Sequence, residues 1–313
     1  MNALLPALTA TARAAAHANP GTDCRCPDPG KVLADRADDA VVVRHGGIVA
    51  KAHDPGSDPV GLSLRLAVAA RLPGVLLAPL DPAPVTVHGR LVTCWPYGTP
   101  VDPDTPGDAP WEAAASLLAR LHRAPAPTGL PAMRGPAKAA RAIGRLRALG
   151  PHPAAGPVLR AWSALPAWAR AEAPPPSAQH LCHGDLHLGQ LVRHPADTGP
   201  WRLIDVDDLG VGDPAWDLAR PAAWYACGLL PPDEWTRFLT AYRREGGPAV
   251  PAEGDPWPAL DVPARALTVQ TAALAVVKSH AGERQLDEVE QAVVDACVRM
   301  GAVAPELTHG CAI

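Results

Sequence analysis

The segment from His183 to Asp217 reads HGDLHLGQLVRHPADTGPWRLIDVDDLGVGDPAWD and constrains the rest of the chain more than any other stretch. Two short apolar-rich runs, Leu191 to His194 and Trp201 to Val206, flank the turn-forming cluster PADTGP. That pattern predicts a β-hairpin. With the turn centred between Asp197 and Thr198, Gln190 falls opposite Asp205, and directly opposed side chains begin about 5 Å apart at Cβ. Asp207 is two residues further along, hence on the same face of a continuing strand, and Asp208 points the other way. Asp185, just before the first strand, overhangs the same point.

An amide and several carboxylates at the open end of a hairpin make an oxygen-rich site. It suits a hard cation such as Mg2+, which keeps some waters and takes phosphate oxygens as further ligands. Phosphoryl transfer needs these parts, with ions bridging phosphates and a carboxylate orienting the attacking hydroxyl. The spacing from Asp185 to Gln190, then an Asp after an apolar strand, has the layout of a kinase catalytic loop and metal-binding loop. HGDLHLGQ followed by LIDVDDLGVGDPAWDLA resembles the aminoglycoside phosphotransferase and choline kinase family, a small-molecule branch of the protein-kinase-like fold. With Gln190 where most members carry Asn, the motif is most similar to actinobacterial maltokinases and glucosamine kinases. The resemblance implies an α+β, two-lobed fold: a small N-terminal lobe with an antiparallel sheet (residues 1–97) and a larger, mostly helical lobe (98–313).

In the small lobe, strands are expected at Lys31 to Asp35, Ala40 to His45 and, after a Gly46-Gly47 hairpin turn, Ile48 to His53. Alternation puts Val49 and Lys51 on one face. The resemblance implies that this face covers ATP, Val49 over the adenine and Lys51 on the phosphates. A helix from Val60 to Leu72 follows Asp58-Pro59. Kinase helices at this place carry a Glu for the strand lysine. GLSLRLAVAARLP has no acid and sets Arg65 there, so Asp205 or Asp58 is left to orient Lys51. The first turn, ADRADDA, lacks the glycines of a phosphate loop. Strand Leu91 to Trp95 resembles the hinge, where backbone groups of Thr93, Cys94, Trp95 and Tyr97 would meet the adenine edge; Pro96 has no N–H to offer.

The remainder reads as helical. Asp108 can cap a helix with Leu117, Leu118 and Leu121 on its core face and His122 as a surface or packing residue. Residues 125–178 read as two arginine-rich helices with a solvated basic face. Asp213-Pro214 and Pro232-Asp233 start further helices, Pro221 should kink or shorten the first, and Trp235, Phe238, Leu239 and Tyr242 form a core stripe in the second. Helices at about 262–281 and 283–300 complete the lobe.

The resemblance assigns Asp185 as catalytic base or hydroxyl-orienting carboxylate, and Gln190, Asp205 and Asp207 as Mg2+ ligands. His183, Asp213 and Asp217 support the loop. His187, Asp208, Trp224 and Tyr225 are candidates for contacting substrate. The implied activity is ATP- and Mg2+-dependent phosphorylation of a hydroxyl on a sugar, amino sugar or aminoglycoside-like small molecule. Two alternatives remain: a nucleotide-binding pseudokinase, suggested by the missing helix Glu and the missing glycine loop, and a metal-dependent hydrolase using His183, Asp185 and His187.

A net charge of −4 supplies no basic field for nucleic acid or an anionic membrane. Cys24 and Cys26 lack a second pair at zinc spacing. Residues 1–20 lack a basic leader and carry Arg13 and His17, so an amphipathic helix packing on the small lobe is expected rather than a signal peptide. The apolar run Ala266 to Val277 is too short to span a bilayer. A soluble, cytoplasmic monomer is the expectation.

Overall fold

The computed structural model describes residues 3–17, 29–35, 40–175 and 179–302. Cys24, Cys26 and residues 36–39 of the ADRADDA turn lie outside them. In chain order the elements are α1 (Leu4–Ala16), β1 (Lys31–Asp35), β2 (Val41–His45), β3 (Ile48–Ala52), α2 (Pro59–Arg71), β4 (Val85–Val87), β5 (Arg90–Pro96), β6 (Thr99–Pro100), α3 (Trp111–Arg123) and α4 (Gly135–Ala148). There follow α5 (Ala155–Ser163), β7 (His180–Cys182), β8 (Leu191–Arg193), β9 (Trp201–Leu203), β10 (Gly210–Gly212), α6 (Ala215–Ala226), α7 (Pro232–Arg244), α8 (Trp257–Ala281) and α9 (Glu288–Ala302). They make two compact units. A sheet unit comprises Met1–Pro110, Pro127–Pro131 and Leu188–Asp207, and a helical unit comprises Trp111–Ala126, Ala132–His187 and Asp208–Ile313.

The sheet unit holds an antiparallel sheet of order β1-β2-β3-β5-β4. Its buried residues Val41, Val43, Ala50, Ala52 and Val92 pack against Leu4, Leu8 and Ala12 of α1. Those three recur every four residues, so α1 is an amphipathic helix laid on the sheet. The side chain of Asp58 accepts N–H bonds from Val60 (3.3 Å) and Gly61 (2.7 Å), with Pro59 opening α2. Asp58 therefore serves as a helix cap.

A second sheet in this unit runs β6-β8-β9. Its register is Leu191↔Leu203, Val192↔Arg202 and Arg193↔Trp201. The expected pairing is therefore off by one: Gln190 continues opposite Ile204, whose N–H donates to the Gln190 carbonyl at 2.9 Å. The turn centres on Asp197 itself, at φ +67°. Strand alternation does not place Asp207 either. The backbone turns at Asp205 (φ +65°), and Val206–Asp208 is a 3-10 turn.

In the helical unit α8 packs against α4, α6 and α9, and α3 against α7. Trp235, Phe238, Leu239 and Tyr242 are all buried, as the stripe predicted. Pro221 does not end α6, which continues to Ala226 with Leu218 and Ala222 fully buried. Pro106–Asp108 forms a 3-10 turn, and α3 begins at Trp111. At 25 residues α8 outruns the apolar segment read from sequence and is long and apolar enough to cross a membrane by length and composition. About two thirds of its apolar window (67%) is buried inside the protein, the signature of a core helix.

Candidate active site

One cluster of charged residues lies in the sheet unit. Lys51 stands mid-strand in β3 and donates to Asp205 Oδ1 at 2.7 Å, with Asp207 Oδ2 at 3.0 Å. Of the two acids expected to orient Lys51, Asp205 does so, joined by Asp207, while Asp58 caps α2. Burial works against the ammonium, but Asp205 and then Asp207 outweigh it and hold the Lys51 pKa above the usual lysine range. Asp207 goes the opposite way: burial pushes it up, Lys51 and His53 overcome that, and its carboxyl lies well below the usual range.

His53 was not singled out from the sequence, although it follows Lys51 by two residues. Its Nδ1 lies 2.7 Å from Asp207 Oδ1 and its Nε2 lies 2.8 Å from the Thr93 hydroxyl. With Nδ1 donating to Asp207, Nε2 accepts from Thr93, whose oxygen accepts from Trp95 Nε1 at 2.8 Å. Arg90 donates to the His53 carbonyl from behind. Asp207 is thus held by a chain anchored in β5.

Gln190 is buried, with Nε2 at 3.4 Å from Asp205 Oδ2. Turning its amide would present oxygen in place of nitrogen. Two carboxylates, an amide and one ammonium leave an anionic surplus among hard oxygen donors, which fits Mg2+. Asp205 occupies the left-handed backbone region, which costs most residues about 1–2 kcal/mol and which Asp tolerates better than most.

A second cluster lies in the helical unit. Asp185 Oδ2 is 2.7 Å from Lys138 Nζ, and Oδ1 accepts from Arg220 Nη2 at 2.9 Å. Lys138 also donates to Asp208 Oδ2 at 2.6 Å. Burial raises the Asp185 carboxyl, but Lys138 and then Arg220 prevail, and the net shift is downward. For Asp208 burial prevails and its pKa is raised. Lys138 sits on α4, whose start is tied down twice: Met133 N–H donates to Val211 O at 3.0 Å and Arg134 N–H to Asp208 O at 3.1 Å. Gly135 lies against Trp216, where an added Cβ would stand 2.0 Å from the indole nitrogen. Only glycine allows that approach, and Lys138 follows one turn later.

The loop that carries Asp185 is anchored by Asp217. Asp217 accepts N–H bonds from His183 (2.6 Å) and Gly184 (2.7 Å), and His122 Nε2 lies 3.0 Å from it. His122, expected at the surface or in simple packing, is fully enclosed and links Asp217 to the Tyr242 hydroxyl at 2.7 Å. Gly184 has φ +85° with the Asp208 carbonyl pressed close, so the loop requires glycine there. His122, Cys182 and Asp217 bring three potential ligand atoms within 4.8 Å. Burial keeps the Cys182 thiol well above its ordinary pKa, and the His and Asp are committed to the loop.

The other expected residues fall as follows. Val49 shares the strand face of Lys51, and Cys94 is half-buried in β5. Much of the hinge backbone is paired internally: Leu80 N–H donates to Cys94 O at 2.9 Å and Tyr97 N–H to Gly47 O at 2.7 Å. Asp213 accepts from Ala215 N–H at 2.9 Å at the start of α6. His183 is fully buried, and His187 is half-buried with an electrostatic pull on Asp185. Tyr225 stacks on Trp235 at 5.5 Å and on Trp257 at 6.4 Å, and Trp224 is half-buried.

Residues 36–257 match the model of the phosphotransferase enzyme family, APH. Comparison with curated protein sequences gives no match. Among solved structures, a choline/ethanolamine kinase family protein from Mesorhizobium loti is 19% identical with a TM-score of 0.58, over 96% of this chain and 97% of that one. A thermostable mutant of aminoglycoside phosphotransferase APH(4)-Ia is 17% identical with a TM-score of 0.59, over 88% and 95%. Spectinomycin phosphotransferase APH(9)-Ia, in complex with ADP and spectinomycin, is 12% identical with a TM-score of 0.57, over 87% and 92%. At such identities the likeness is one of fold, and it agrees with the α+β kinase-like class expected from the sequence.

Proposed function

Because this chain belongs to the phosphotransferase enzyme family, we propose that it is an ATP- and Mg2+-dependent kinase acting on a hydroxyl of a sugar, amino sugar or aminoglycoside-like small molecule. The observation that carries the reading is Lys51 held by Asp205 and Asp207 at 2.7 and 3.0 Å. An ammonium so held is pre-aligned for phosphate oxygens, and the surplus carboxylate charge suits a divalent ion.

In this reading Asp205, Asp207 and Gln190 hold Mg2+, which when bound neutralises charge developing on the phosphate oxygens. Lys51 aligns the phosphates, and His53 keeps Asp207 turned toward the ion. Asp185 accepts a hydrogen bond from the acceptor hydroxyl and orients its oxygen for attack. Lys138 and Arg220 keep Asp185 ionised, so it remains an acceptor rather than a donor.

The hydrolase reading loses support, since His183 is fully buried and both Asp185 oxygens face cations. The pseudokinase reading rested on the missing helix acid and the missing glycine loop; Asp205 and Asp207 engage Lys51 in place of the first, and residues 36–39 of the turn lie outside the described residues. The test is coupled detection of ADP over a panel of hydroxylated acceptors with and without Mg2+. Mg2+-dependent ADP release stimulated by at least one acceptor is expected; none with any acceptor refutes the proposal.

A further inference from the structure

We propose that the nucleotide site of this chain does not distinguish adenine from guanine, and that Pro96 is the residue that sets this. The inference rests on the kinase reading and narrows it to the choice of phosphoryl donor.

The position of the base follows from Lys51. With the triphosphate at that ammonium, the nucleotide extends along β3 in one of two directions. His53 closes one of them, being fully buried and engaged with Asp207 and Thr93. The other runs to Val49, half-buried on the same strand face, two residues and about 7 Å away. Val49 lies opposite Trp95, and Ile48 opposite Pro96. The base therefore reaches the segment from Cys94 to Tyr97, whose backbone groups are the ones that could read its edge.

Most of those groups are already spent. In an antiparallel ladder, opposed residues alternate between bonded and unbonded pairs. His53 N–H donates to the Leu91 carbonyl at 2.8 Å and Tyr97 N–H to the Gly47 carbonyl at 2.7 Å. Thr93 and Trp95 fall between them in the same alternation, so they too turn their backbone groups toward β3, opposite Lys51 and Val49. Val92, Cys94 and Pro96 face the outer edge of β5. There Val92 pairs with Val85 of β4, and the Cys94 carbonyl accepts from Leu80 N–H at 2.9 Å. Pro96 has no N–H.

Adenine carries an amino donor where guanine carries a carbonyl acceptor. The adjoining ring nitrogen accepts in adenine and donates in guanine. Telling the two apart takes an acceptor and a donor side by side, in fixed order. At Cys94 the acceptor is taken, and at Pro96 the donor does not exist. A site built on hydrogen bonds rejects the wrong partner steeply, whereas one that makes none does not. What remains is apolar contact from Val49 to the flat face of the base, a face that every base offers.

The experiment measures Kd of the full chain for Mg·ATP and for Mg·GTP by calorimetry at pH 7. The expected result is two constants within about tenfold of each other. A wider gap in either direction overturns this inference and leaves the kinase reading intact. Binding of neither nucleotide overturns both. Pro96→Ala and Pro96→Val each restore an N–H on the outer edge of β5, and each should shift the ratio about tenfold toward ATP. Far-UV circular dichroism and Tm establish that each variant is folded. Equal shifts from side chains of different size assign the effect to the backbone group. A ratio unmoved in folded variants, or moved by only one of them, removes Pro96 as the determinant.

Discussion

The two clusters of charged residues, one in each unit, are charged in opposite senses. In the sheet unit one ammonium, Lys51, is shared by two carboxylates; in the helical unit one carboxylate, Asp185, is shared by Lys138 and Arg220. The first arrangement has anionic charge to spare and is completed by a cation. The second has cationic charge to spare and is completed by oxygen. Lys51 and Asp185 are each mostly enclosed, so salt screens neither arrangement as it would a surface pair. Under the proposed function the two clusters have distinct tasks and should be separable by mutation.

The largest expected effect comes from Asp185→Asn. Turnover should drop on the order of 1,000-fold or more, while calorimetry shows nearly normal Mg·ATP affinity. If both fall together, the division between the two clusters is wrong. Next, Asp205→Ala should weaken Mg2+-dependent nucleotide binding on the order of 100-fold, and unchanged affinity would eliminate the metal assignment. His53→Ala removes a support rather than a ligand and should raise the apparent Mg2+ requirement by about tenfold. A Mg2+ titration of turnover reads this directly, and a normal curve would reduce His53 to packing.

The smallest effect sharpens the comparison through pH. Asp185 is held below its ordinary range because Lys138 and then Arg220 outweigh its burial. It should stay charged, and the acid limb of kcat/KM should lie below the usual carboxylate range, activity being lost only as pH falls through that lowered pKa. In Lys138→Met the opposing burial remains and one cation is gone, so the limb should move to higher pH. A limb that stays in place would assign it to another group.

Much of this was legible in the sequence, and the failures have physical causes. The loop aspartate Asp205, the strand lysine Lys51 and the start of α2 after Asp58-Pro59 are local patterns read directly from spacing. Gln190 and Asp207 were named through geometry that does not hold: the hairpin is shifted by one residue, and a 3-10 turn directs Asp207. A left-handed residue at Asp205 breaks the strand periodicity on which the reading relied. His53 could have been found by applying to it the alternation that grouped Val49 with Lys51. Lys138 could not, since its neighbours are set by tertiary anchors at Val211, Asp208 and Trp216 that leave no mark near residue 138. The choice between surface and packing was left open at His122 for the same reason: its partners Asp217 and Tyr242 are remote in the chain.

The bare backbone at Gly135 also limits how the helix that carries Lys138 can be varied. No methyl group fits between that glycine and the indole of Trp216, so even the smallest added side chain must push the ring or the start of α4 aside. The ammonium one turn along inherits its position from that contact.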